Sequence, residues 1–122
     1  MQEALIEGNP LLKKSIAFTL NIIEYCELLN VNKKYIVSKQ LFRAASSIGA
    51  NAFESQNAES KADFIHKIKI SAKEADETQY WLIVCNTAND YPKPIDLMEQ
   101  LYEIQRIINS ILKTSKSNMK VN

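Results

Sequence analysis

Between Pro10 and Pro92 the chain has no proline, and after Pro94 it has none again. A proline inside a helix removes a backbone hydrogen bond and clashes with the preceding turn, so both stretches are free to form long helices. Glycine, the other common breaker, occurs only at Gly8 and Gly49. That scarcity excludes a turn-rich β fold. The 122 residues suit one domain, and a composition 46% hydrophobic and 24% charged supports a buried core beneath a solvated surface. General disorder, a collagen-like repeat and a disulfide-stapled scaffold are excluded on the same grounds. No apolar run approaches the ~18 residues of a membrane span, and Met1 to Glu7 carries acids where a signal peptide carries Lys or Arg. These features predict a cytoplasmic protein.

Caps and apolar spacing place the helices. Asn9 as N-cap and Pro10 at the first helical position start one. Along it Leu12, Ile16, Leu20 and Ile23 form one apolar stripe, and Leu11, Phe18, Ile22, Tyr25 and Leu29 form another. Two stripes exceed what a single core face needs, and the second is expected to be left over, beside an exposed Trp81 and Val84. Residues 30–37 read as a connection, with Ser38 capping a second helix whose buried stripe is Leu41, Ala45, Ile48 and Ala52. Gly49 within that helix predicts a close helix crossing, since glycine there is disfavoured by about 1 kcal/mol relative to alanine. Ser60 to Asp63 resembles a capping box before a third helix bearing Phe64, Ile68, Ala72, Ala75, Leu82 and Cys85 and running to about Asn86. Residues 89–94 form a turn by composition. Leu97, Leu101, Ile104, Ile108 and Ile111 then mark a fourth helix, and the polar residues from Thr114 onward predict a solvated tail.

The predicted fold is all-α, an up-and-down four-helix bundle, because each stripe can be covered only by its neighbours. It is one domain over residues 1–122, with an ordered helical core over about 10–112 and a flexible tail over 114–122.

Few residues suggest chemistry. His66 is the only histidine, and its position off the apolar stripe fits a solvated helix residue better than a catalytic one. The paired Glu-x-x-His motifs of a di-metal bundle, a phosphate-binding glycine loop and a nucleophile elbow do not occur in the sequence. The sequence therefore predicts no enzymatic activity, no catalytic or metal-ligating residues and no cofactor. Cys26 and Cys85 sit in apolar helical patterns and are expected as reduced, packed thiols. Asn51, Glu54 and Glu77 are expected to meet between the second and third helices as a structural polar cluster.

Charge is unevenly spread although the formal net charge is only +1. Lys33, Lys34, Lys39 and Arg43 cluster around the start of the second helix, and Arg106, Lys113, Lys116 and Lys120 follow Ile104 with no acid among them. These eight are candidate nucleic-acid contacts, although solvated lysines alone account for them equally well. In an up-and-down bundle the two groups fall at opposite ends.

The run from Phe42 to Glu54, with Arg43-Ala44-Ala45 leading into Ser47-Ile48-Gly49-Ala50-Asn51-Ala52-Phe53-Glu54, is followed by Phe64 and by Glu77-Thr78-Gln79-Tyr80-Trp81-Leu82. This combination resembles the four-helix-bundle family encoded in intervening sequences of bacterial 23S ribosomal RNA genes, over about residues 10–112. The resemblance implies an up-and-down bundle assembled as a homo-oligomer, a ring of five. It places Arg43, Asn51, Glu54 and Glu77 at motif positions with no catalytic role. Related accessory proteins of diversity-generating retroelements bind nucleic acid and a reverse transcriptase through a basic ring surface; this chain is near neutral, and Ser55 stands where the family commonly has glycine. The expected function is that of a non-enzymatic oligomeric bundle associated with RNA or an RNA-linked complex. The alternative is a scaffold for a protein partner with no nucleic-acid contact.

Overall fold

Asn9 caps the first long helix as its chemistry dictates, its side-chain oxygen accepting the Leu12 amide N–H at 3.2 Å with Pro10 at the first helical position. The computed structural model describes the backbone of residues 2–121 and the side chains of residues 3–116. A short helix α1 (Gln2–Glu7), which the sequence did not suggest, precedes four long ones: α2 (Pro10–Val31), α3 (Tyr35–Ser55), α4 (Lys61–Thr87) and α5 (Leu97–Val121). The four pack in a closed circuit, α2 beside α3, α3 beside α4, α4 beside α5 and α5 beside α2.

Side-chain pairs fix the directions. Lys14 meets Glu103, Asn21 meets Gln100 and Tyr25 meets Pro92, so α2 ascends as α5 descends. Gly49 faces Ser15, and Cys26 pairs with Ser38. Across α3 and α4, Arg43 meets Glu77 and Ser71 meets Ile48, and Gln79 bonds Gln105 across α4 and α5. Neighbours in the circuit therefore run antiparallel. One end carries the α2–α3 turn and residues 88–96; the other carries the α3–α4 turn, the start of α2 and the late turns of α5. The core between them is built on Phe18, Ile22, Leu29, Leu41, Ile48, Ile68, Leu82, Leu101, Ile104 and Ile108.

Several sequence expectations need correction. The stripe Leu11, Phe18, Ile22, Tyr25 and Leu29 is core, whereas Ile16 and Leu20 are exposed and Ile23 is half-buried. Both stripes are apolar, and the side of α2 that carries Ser15 is the one packed against Gly49 of α3. Tyr35 to Val37 are helical, so Ser38 is no cap. It lies buried inside α3, its hydroxyl donating to the Cys26 carbonyl at 3.1 Å while the Cys26 thiol donates to the Ser38 carbonyl at 3.5 Å. The actual cap position, Lys34, makes no side-chain capping bond; α2 is closed instead by Lys33 in the left-handed conformation, φ 65°, with the Lys34 amide bonded back to the Leu29 carbonyl at 2.8 Å. On α4 the core position is Ile65, with Phe64 only partly buried. Ser60 does cap α4, accepting the Asp63 amide at 3.0 Å, while the Asp63 carboxylate accepts the Glu59 amide. Trp81 and Val84 are half-buried, not exposed. Finally, α5 continues through the expected tail to Val121, since the spacing of Ile104, Ile108 and Ile111 is extended by Ser115, which is buried.

Candidate interaction surfaces

The three motif residues Asn51, Glu54 and Glu77 do not meet. Antiparallel packing places Glu77 opposite Arg43, and Asn51 lies eight residues further along α3, about 12 Å at the helical rise. The Asn51 amide instead donates to the Ser47 carbonyl at 2.8 Å within its own helix, and Glu54 accepts from Lys67 Nζ at 3.3 Å. Glu77 Oε2 accepts from Arg43 Nη2 and, at 3.2 Å, from Trp81 Nε1, while Arg43 Nη1 donates to Glu74 Oε2 at 3.1 Å. The Arg43 guanidinium holds the Glu77 carboxyl below the usual carboxylate range, with the Trp81 N–H adding to the effect. This network fastens α3 to α4. Two carboxylates engage the guanidinium, so Arg43 does not present an unpaired charge to a phosphate.

The basic candidates fall at the two ends as expected. At the α2–α3 turn, Lys34 is engaged: its Nζ is 2.9 Å from Asp90 and 4.9 Å from the centroid of the Tyr91 ring. This lysine lowers the Asp90 carboxyl from its ordinary value. Lys33 and Lys39 are exposed. Toward the other end Arg106, Lys113 and Lys116 are exposed, and none of the four lysines and one arginine that form salt bridges among the described residues is among them. Lys120 lies outside the described side chains.

A third surface lies on α2 and α3, on the side of α2 opposite to the one the sequence predicts to be left over. Ile16, Leu20, Ile23 and Glu27 on α2 run beside Tyr35, Lys39, Phe42, Ser46, Gly49 and Phe53 on α3, each series stepping by alternating threes and fours. Leu20 is 59% exposed and Phe42 43%. Between the helices Ile23, Cys26, Tyr35, Ser38 and Phe42 line a groove of about 310 Å³. The regular spacing of the α3 series is legible in the sequence beside the deeper stripe of Leu41, Ala45, Ile48 and Ala52. Cys26 and Cys85 are buried and unbridged. Burial pushes the Cys26 thiol up to about 11 and the Cys85 thiol in the same direction. Among the described residues no group of three or more His, Cys, Asp and Glu side chains is arranged to hold a metal ion, and no helix is long and apolar enough to cross a membrane.

The model of the 23S rRNA-intervening sequence protein family matches residues 7–110. The chain belongs to that family. Among solved structures, one from Bacteroides thetaiotaomicron, described as a protein with unknown function from the S23 ribosomal protein family, is similar with a TM-score of 0.80 and 36% identity, covering 84% of this chain and 98% of that one. No curated protein matches the sequence. The family match takes in all of α2, α3 and α4 and stops within α5, so Lys113 and Lys116 lie beyond it.

Proposed function

We propose that the protein is a non-enzymatic assembly module, in which copies of the chain pack through the α2–α3 face into a closed homo-oligomer that associates with RNA. The double stripe of Ile16, Leu20 and Ile23 beside Tyr35, Phe42 and Phe53 carries this reading, because a continuous apolar face of helical spacing is what a second helix pair covers. We take this assembly to be a ring of five, as the family resemblance suggests. In such a ring each basic end is repeated around one rim, and weak phosphate contacts by Lys33, or by Lys113 and Lys116, gain from multivalency. The engagement of Arg43 and Lys34 in ion pairs favours a second reading, a protein scaffold with no nucleic-acid contact. Light scattering at tens of micromolar tests the assembly, and a monomer mass rejects it. Filter binding of structured ribosomal RNA over a salt series tests the association: a phosphate-dominated complex weakens steeply with salt. An oligomer that retains no RNA at low salt leaves the scaffold.

A further inference from the structure

At the end of the bundle that carries the α3–α4 turn, α4 and α5 flank a cavity of about 280 Å³ lined by Ala62, Ile65, His66, Lys69 and Lys116. Residues 62, 65, 66 and 69 are helical neighbours at spacings of three and four, so α4 presents them as one contiguous patch. Ile65 is buried and supplies an apolar floor, while His66, Lys69 and Lys116 are exposed at the rim. No carboxylate lines the cavity. The acids nearest along α4 face other groups: Asp63 accepts the Glu59 amide N–H at 3.2 Å, and Glu74 accepts from Arg43 Nη1 at 3.1 Å. Neither Lys69 nor Lys116 forms an ion pair among the described residues.

Two ammonium groups around one concavity repel each other in the absence of a counter-charge, and a compact anion with several acceptor oxygens relieves that repulsion. The geometry points to a phosphoryl-binding site, in which Lys69 and Lys116 neutralise the anion, His66 donates a ring N–H, and Ala62 and Ile65 lie beneath the ester carbon. The site goes beyond the assembly reading, since every lining residue belongs to one chain. The phosphoryl group has two sources, a free phosphate or monoester and the diester backbone of RNA.

His66 is the only histidine, so its ring proton gives a single nuclear magnetic resonance reporter at the cavity. Inorganic phosphate titrated at constant ionic strength is expected to shift that signal to saturation, beyond the effect of chloride. The double substitution Lys69→Gln with Lys116→Gln should weaken binding roughly tenfold or more, as loss of two charge-assisted contacts requires. Lys13→Gln, on α2, should leave it unchanged. A short oligouridylate without terminal phosphate that moves the same signal identifies the diester as ligand; movement with inorganic phosphate alone identifies the small anion. If neither probe moves it, or the double variant binds as the wild type does, the site is overturned. RNA retained on filters with a motionless His66 signal rejects this site and leaves the RNA association standing. Phosphate binding without RNA retention does the reverse.

Discussion

Gly49 in α3 lies so close to Ser15 in α2 that a β-carbon at position 49 would stand 3.1 Å from the Ser15 β-carbon. Such a contact is too short for ordinary packing, so the crossing of α2 and α3 depends on the missing side chain. Ser15 is itself buried, with its hydroxyl unpartnered within the protein. Gly49→Leu should therefore overpack the crossing and destabilise the fold by roughly 1–3 kcal/mol in urea titration. Gly49→Ala gains about 1 kcal/mol of helix propensity against a displacement of a few tenths of an ångström, and should lose less than the leucine variant. Both variants melting above the wild type would refute close packing here.

The α2–α3 face is solvated in the single chain, so a charge placed on it should spare the fold and disrupt assembly. Leu20→Glu and Phe42→Glu are expected to keep the wild-type circular dichroism spectrum and to reduce the mass found by light scattering to that of a monomer. Unchanged masses for both would move the interface elsewhere.

Arg43 gives the protein part of its acid sensitivity. The Glu77 carboxyl titrates lower in the folded chain than in the unfolded one, so its stabilisation is complete above the unfolded value and disappears as pH falls through the folded one. The melting temperature should fall between about pH 5 and pH 3. Arg43→Gln should make that slope shallower while lowering stability at pH 7. An equally steep slope in the variant would assign the acid sensitivity to other carboxylates. The effect is modest because the pair is largely solvent-screened.

The thiols should be inert in the native state. Cys26 and Cys85 are buried and their thiolates are disfavoured by desolvation, so at about pH 8 a disulfide reagent should react slowly with folded protein and rapidly with both cysteines in denaturant. Rapid modification of the folded chain would show that the α2–α3 groove opens to Cys26.

The helices were legible because their signals are local. Asn9-Pro10 and Ser60 cap where their side chains reach an amide three residues on, and Leu97, Leu101, Ile104 and Ile108 share one helix face whatever surrounds them. Ser38 misled because a serine at a helix start and a serine donating across to Cys26 look alike along the chain. The polar cluster failed for a similar reason: Asn51, Glu54 and Glu77 have suitable chemistry, but their separation depends on the register of α3 against α4, which a single helix does not encode.

By itself the sequence determined the all-helical class, the four long helices and the stripe Leu41, Ala45, Ile48 and Ala52, since proline placement, capping and helical periodicity act within a few residues. Only the tertiary structure decided which stripe of α2 is core, that Arg43 engages Glu74 and Glu77, and that His66, Lys69 and Lys116 share a cavity. These depend on the rotation and register of one helix against another, set by contacts such as Gly49 on Ser15 between residues far apart in the chain.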